Sequence, residues 1–325
     1  MMTAMTLAAG MAIGQTAPTL KKVKALDGVR AVCLAASPVD SRFVAGMENA
    51  QVRVMDAAGK AATVTFTGHA QPAYGAAISP DGKYVLSGDE QAKIFLWDAK
   101  TGKLIREYPR AKGHTRGIQS IAFSADGKQF VSVGKDDAVC LWNVSGGDPV
   151  AKVVGEPANY YGAGFTKAGS VFAGTQAEGL RLLAPKTLKT VQKMVLPGGQ
   201  GANGFAMNRA GSRGVTCGRD GVVTVFDLVN KSRLKALTGH TDFVTAADFT
   251  PNGKFAATTS IDGTLRLWDM SLYKQVAEVD GRSYVGSPVA FTGDGKYMVS
   301  TNASDTVEIH IVSPAQPVAK APKRR

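Results

Sequence analysis

A short turn motif returning about every 42 residues constrains this chain more than any other feature. Ser79-Pro80-Asp81-Gly82-Lys83, Ser124-Ala125-Asp126-Gly127-Lys128, Thr250-Pro251-Asn252-Gly253-Lys254 and Thr292-Gly293-Asp294-Gly295-Lys296 are clear copies, with weaker ones at 166–170 and 208–212. Their glycines fall at 82, 127, 169, 211, 253 and 295, and Ser37-Pro38 stands 42 residues before Ser79-Pro80 as a seventh copy. A second landmark keeps the same count. Ile94-Phe95-Leu96-Trp97-Asp98, Val139-Cys140-Leu141-Trp142-Asn143 and Leu265-Arg266-Leu267-Trp268-Asp269 are its full forms, and Val223-Thr224-Val225-Phe226-Asp227 is softened. Segments 53–56, 181–184 and 310–313 fill the slot without the aromatic, which puts the key positions at 55, 97, 142, 183, 226, 268 and 312.

Each unit reads as four short strands, because runs rich in Val, Ile, Phe and Thr alternate with Gly, Asp, Asn and Pro. Four strands of about six residues with their connections use roughly 40 residues, which is the observed period. Such a sheet has two apolar faces and cannot cover both alone. Radial stacking of the units solves that problem and predicts an all-β, seven-bladed propeller. Gly68-His69, Gly113-His114 and Gly239-His240 each place a histidine 28 residues before a Trp, and with the Trp-Asp ends they resemble the WD40-repeat family. The resemblance covers residues 19–313 and is strongest in repeats two, three and six. Residues 1–18 are set apart as a leader or unstructured N-terminus, and 314–325 as a basic, unstructured tail. After residue 313 the prolines at 314 and 317 forbid a further ladder strand. Leu20-Lys21-Lys22-Val23-Lys24-Ala25-Leu26-Asp27-Gly28 matches Lys231-Ser232-Arg233-Leu234-Lys235-Ala236-Leu237-Thr238-Gly239, so the N-terminal segment is expected to complete the last blade.

The resemblance also gives the recurring polar residues a role, as a buried hydrogen-bond tetrad of Trp, Ser or Thr, His and Asp. Two sets look complete: His114, Ser132, Asp136 and Trp142, and His240, Thr258, Asp262 and Trp268. The second repeat has His69, Ser87 and Trp97 but Gln91 in the acidic slot, with Asp89 as a stand-in; the fifth keeps Thr216 and Asp220 without a histidine. A His, Ser and Asp in one unit also invites a catalytic-triad reading. Repetition argues against it, since a triad is needed once, and a mid-strand hydroxyl forms no nucleophile elbow. No catalytic residue, metal site or cofactor is therefore assigned. Gly198-Gly199-Gln200-Gly201-Ala202-Asn203-Gly204 fits no phosphate-loop pattern and reads as a loop between blades four and five.

Carried over from the family, the docking surface is the rim where entry loops and tetrad turns gather. It places Arg116, Lys135, Tyr160, Tyr161, Arg219, Phe243, Arg282 and Tyr284 on a basic, aromatic-rich face, with Gln71, Asn159, Asp242, Ser283 and Ile261 beside them. Arginine and aromatic residues are enriched among interface hot spots, and a protein or peptide segment, acidic for preference, suits such a face. The expected function is a non-catalytic, monomeric interaction scaffold. A propeller enzyme is the first alternative, although no ligand cluster for a metal or cofactor motif is present. A nucleic-acid binder is the second, suggested by the net charge of +12, part of which belongs to Lys320, Lys323, Arg324 and Arg325. The three cysteines, Cys33, Cys140 and Cys217, form no CxxC pair and read as buried reduced thiols. Ala12-Ile13-Gly14 has the small-x-small look of a signal-peptidase site with cleavage before Gln15, which would export the protein, but no basic residue precedes the apolar run. Without a signal the chain would stay in the cytoplasm. No stretch reaches the roughly 18 apolar residues of a membrane helix.

Overall fold

The structure is a computed structural model that describes residues 19–154, 159–196, 201–280, 288–302, 304 and 306–313. The leader and tail readings, and the rim residues Arg282, Ser283 and Tyr284, lie outside the described residues.

Strand pairing resolves into seven four-stranded antiparallel blades, each running outward from an innermost strand. Blade 1 takes the second half of β1 (Thr19–Ala36), then β2 (Arg42–Met47), β3 (Val52–Asp56) and β4 (Val64–Phe66). Blade 2 is β5 (Ala73–Ile78), β6 (Tyr84–Asp89), β7 (Ile94–Asp98) and β8 (Leu104–Tyr108). Blade 3 is β9 (Ile118–Phe123), β10 (Gln129–Gly134), β11 (Val139–Asn143) and β12 (Ala151–Val153). Blade 4 is β13 (Tyr160–Phe165), β14 (Val171–Thr175), β15 (Gly179–Leu183) and β16 (Thr190–Val195). Blade 5 is β17 (Ala202–Met207), β18 (Arg213–Gly218), β19 (Val223–Asp227) and β20 (Ser232–Leu237). Blade 6 is β21 (Val244–Phe249), β22 (Phe255–Ser260), β23 (Thr264–Asp269) and β24 (Lys274–Asp280). Blade 7 is β25 (Val289–Phe291), β26 (Tyr297–Thr301) and β27 (Thr306–Ser313), completed by the first half of β1. Each innermost strand contacts the next, and β25 returns to β1, so the ring is closed.

Closure follows the sequence alignment residue for residue. Lys22 pairs with His310, Lys24 with Ile309, Ala25 with Glu308 and Leu26 with Val307. In blade 5 the aligned residues Arg233, Lys235, Ala236 and Leu237 pair with Phe226, Val225, Thr224 and Val223, and both pairings slip by one residue at the same place. Further along, Ala31–Ala36 of the same strand pair with β2. One strand thus belongs to two blades.

The core is distributed. Seven buried apolar clusters each lie between two neighbouring blades, as expected when every sheet has two faces to cover. Trp97, Trp142 and Trp268 are buried in them and pack toward the preceding blade. The turns that set the period share one design in blades 2, 3, 6 and 7: in blade 2 the Ser79 hydroxyl donates to Asp81 (2.7 Å) and accepts from the Tyr84 amide (2.9 Å). Their glycines, Gly82, Gly127, Gly169, Gly211, Gly253 and Gly295, all have φ between 65° and 82°, a region that side-chain-bearing residues avoid, which is why glycine recurs there.

Two expectations need correcting. Met298 pairs with His310 as Val85 pairs with Trp97, so His310, buried in β27, occupies the seventh landmark slot and Val312 lies two residues beyond it. Ala202, Asn203 and Gly204 belong to β17, where they form the start of blade 5 instead of a loop.

Candidate functional site

The histidines sit in the loops entering blades 2, 3 and 6, the hydroxyls on second strands, the indoles on third strands, and the carboxylates at or just before the turn between them. In blade 3, Trp142 Nε1 donates to Ser132 Oγ at 2.8 Å, Ser132 lies 2.8 Å from His114 Nε2, and His114 Nδ1 lies 2.8 Å from Asp136. Blade 6 repeats this with Trp268, Thr258, His240 and Asp262 at 2.8, 2.8 and 2.9 Å. An ionised carboxylate can only accept, so the histidine Nδ1 carries the proton and its Nε2 accepts from the hydroxyl. Each donor then finds one acceptor, from indole to carboxylate. Asp136 and Asp262 also accept from the Thr115 and Thr241 amides at 2.8 and 3.0 Å, which fastens the entry loop to the turn.

The electrostatics fit this direction of donation. Burial by itself would raise the Asp136 carboxyl, yet the bonds from His114 and Thr115 bring it down to about 2. Asp262 is likewise held at about 2, with Thr264, Thr241 and His240 outweighing burial. The His240 imidazole is lowered by burial, against the pull of Asp262, and so stays neutral. Ser132 and Thr258 are fully buried, so no substrate reaches their hydroxyls in this structure.

In blade 2 it is Asp89 that closes the chain: His69 lies 2.9 Å from Asp89 and 2.7 Å from Ser87, which accepts from Trp97 at 3.2 Å. Gln91 takes no part; its amide instead caps Asp89 at 2.9 Å. Blade 5 is incomplete. With Phe226 in the indole slot, Thr216 Oγ1 is buried with no hydrogen-bond partner.

The sequence repeats that match the WD domain, G-beta repeat profile are residues 61–98, 102–143 and 231–269. Each ends at the Trp-Asp or Trp-Asn of blade 2, 3 or 6, the three blades whose hydrogen-bond chains are complete. These repeats and the four-stranded blades support a WD40 β-propeller. No curated protein matches it. WD40 domains bind proteins or peptides in general, and WD40 repeats indicate an interaction scaffold. Among the described residues no helix is long and apolar enough to cross a membrane.

On this WD40 ring, the tetrad end of the blades forms the loop-bearing rim. At that end the pairing of the innermost strand slips by one residue in each of blades 1 to 6, leaving Val32, Tyr74, Gln119, Tyr161, Asn203 and Thr245 as the unpaired extra residue. Bulges of this kind re-aim side chains and occur beside functional sites. Around them Arg116 is exposed, Tyr161 is half-buried, and Arg219 stacks over Phe243 at 5.2 Å across blades 5 and 6. Phe243 keeps 36% of its surface exposed. Lys135 is less available: its ammonium holds both Glu90 oxygens at 2.8 and 2.7 Å and lies 5.2 Å over the Tyr74 ring. The rim is therefore less basic than the sequence implies.

Tyr160 is a correction. It is only 2% exposed, lies in the core between blades 3 and 4, and meets Arg181 through its hydroxyl at 3.1 Å. Arg181 is itself buried and bonds Glu178 at 2.8 Å, which also pairs with Lys193. Blade 4, with Ala173 in the hydroxyl slot, thus carries a different polar network where other blades carry the tetrad. Tyr160 is removed from the binding face. Sequence reasoning missed Tyr74 and Glu90, whose partner Lys135 is 45 residues from Glu90 and carries no periodic signal.

Proposed function

We propose that this protein is a non-catalytic scaffold whose rim binds a protein or peptide segment. The observation that carries the reading is the ring of bulge residues beside cation–aromatic pairs: Tyr74 under Lys135, and Phe243 under Arg219. Both aromatics remain partly exposed, and stacked cations hold them in place at low entropic cost to a partner. With Lys135 neutralised by Glu90, the anchors would be aromatic and arginine side chains more than net positive charge. That favours a partner segment offering an apolar side chain next to a carboxylate or a carbonyl row.

The test is a comparison of wild type with a variant carrying Tyr74→Ala, Tyr161→Ala, Arg219→Ala and Phe243→Ala. Proteins retained from native lysate and envelope fractions would be identified by mass spectrometry. A protein retained by the wild type and lost with the variant, at unchanged melting temperature, is the expected result. Retention by both would move the site off this rim. Nucleic acid in place of protein, with a steep salt dependence, would favour the phosphate-binding alternative.

A further inference from the structure

The innermost strands carry one internal comparison that the rim does not use. At the position after the tetrad-facing residue, six blades place Ala35, Ala77, Ala122, Gly164, Ala206 and Ala290, and blade 6 places Asp248. The small residues leave a cavity of about 330 Å³ in the middle of the ring, toward the face opposite the rim. Its wall comes from blades 1, 3, 5, 6 and 7, with Leu34, Ile121, Phe205 and Val289 as its apolar side and Asp248 and Arg209 as its charged side chains.

Both charges are positioned by backbone. Asp248 accepts from the Phe291 amide of blade 7 at 2.7 Å and from the Phe249 amide at 2.8 Å. Arg209, on the turn of blade 5, reaches across to donate to the Pro38 carbonyl of blade 1 at 2.8 Å. The other blades carry Pro38, Pro80, Ala125, Lys167, Pro251 and Gly293 at that turn position. Neither group is saturated: a carboxylate has about four acceptor sites and a guanidinium five donors. The two lie close enough for Arg209 to pull on the Asp248 carboxyl, which burial nevertheless raises to about 6. A carboxylate and a guanidinium facing one small, partly open cavity with an apolar side complement a ligand with both signs of charge. A volume near 330 Å³ is at the small end of ligand cavities.

We propose that this chamber is a binding site for a small aliphatic zwitterion of the α-amino-acid class, its ammonium on Asp248, its carboxylate on Arg209 and its side chain against Leu34, Ile121, Phe205 and Val289. The site is separate from the rim and independent of what the rim binds.

The experiment is isothermal titration of the full chain at pH 7.5 with L-leucine, 4-methylpentanoate and 3-methylbutylamine. The second lacks the ammonium and the third lacks the carboxylate. One saturable leucine site is expected, with each analogue at least about tenfold weaker, equivalent to about 1.4 kcal/mol. Arg209→Gln should weaken leucine by a similar factor at unchanged melting temperature. Asp248→Asn would orphan one backbone amide and loosen blades 6 and 7, so the analogues and the arginine variant carry the decision. No saturable heat up to about 10 mM leucine, equal binding of either analogue, or wild-type affinity in Arg209→Gln would overturn the proposal; the last two would mean that the charges serve only as ties between blades.

Discussion

The complete and incomplete tetrads make one molecule its own control. Thr258 holds both His240 and Trp268, whereas Thr216, at the same register in blade 5, holds nothing. Thr258→Val should cost about 1–3 kcal/mol, because it leaves an indole N–H unsatisfied and removes the donor to the imidazole. Thr216→Val should be neutral or stabilising by up to about 1 kcal/mol, since it removes a buried hydroxyl that has no partner. Urea unfolding of the two variants checks this, and equal losses would contradict the network assignment. His240→Ala should cost a similar 1–3 kcal/mol, roughly, through the Asp262 it leaves behind, while rim binding survives.

Acid should act through the same residues. His240 titrates lower in the fold than outside it, so stability is lost as pH falls below the ordinary histidine value of about 6.5. Asp136 and Asp262, at about 2, contribute stability above about pH 4 that disappears as pH falls from there toward 2. Asp248 runs the other way: with its folded value raised to about 6, it favours the fold below about pH 4 and loses that contribution as pH rises through 6. Melting temperature against pH should therefore drop most steeply below pH 4, and Asp262→Asn should flatten that limb. A wild-type profile in Asp262→Asn would remove the aspartate from this account.

At the level of elements, the turns show what one side chain contributes. Ala168 stands where other blades have Asp81, Asp126, Asn252 or Asp294, and in its absence of an acceptor the Thr166 hydroxyl is buried without a partner. Ala168→Asp should restore the bond and stabilise by about 0.5–1.5 kcal/mol, measured by the shift in urea midpoint. The β1 strand is the opposite case. A chain beginning at Gly28 would leave the edge of β27 unpaired and uncover Leu267 and Val276, which Leu20 now helps to bury. Its loss of stability should exceed that of any tetrad substitution, seen as a broad, non-cooperative melt. What was legible here followed from repetition: turn, landmark and closing strand each had several copies to compare. The seventh landmark was misplaced because His310 lacks the aromatic signature, and only pairing with Met298 locates it. Asp89 was ambiguous because a carboxylate from the end of the strand reaches the same imidazole as one from the turn. Blade 4's Tyr160–Arg181–Glu178 network and the Glu90–Lys135 bridge occur once, so no periodic pattern could announce them.

Across the whole molecule, the seven interblade clusters make stability a property of neighbours, and the ring form leaves neither the first nor the last blade with an uncovered apolar face. Asp248 was hidden in the sequence for a related reason: it is ordinary within its own strand and exceptional only beside six aligned strands. The three thiols are buried, with Cys33 and Cys217 pushed up to about 12 by burial, so alkylation by iodoacetamide should be negligible until the ring opens.

Thr19 pairs with Ser313, at the end of blade 7 away from the tetrad turns. The chain therefore enters and leaves the ring at one place on its outer edge, on the far side from the rim. Any tether, tag or neighbouring module attached through either end shares that single exit. A surface that immobilised the protein there would present the binding rim outward, and joining the two ends by a short linker would let new termini be cut into another blade's outer turn without re-threading the ring.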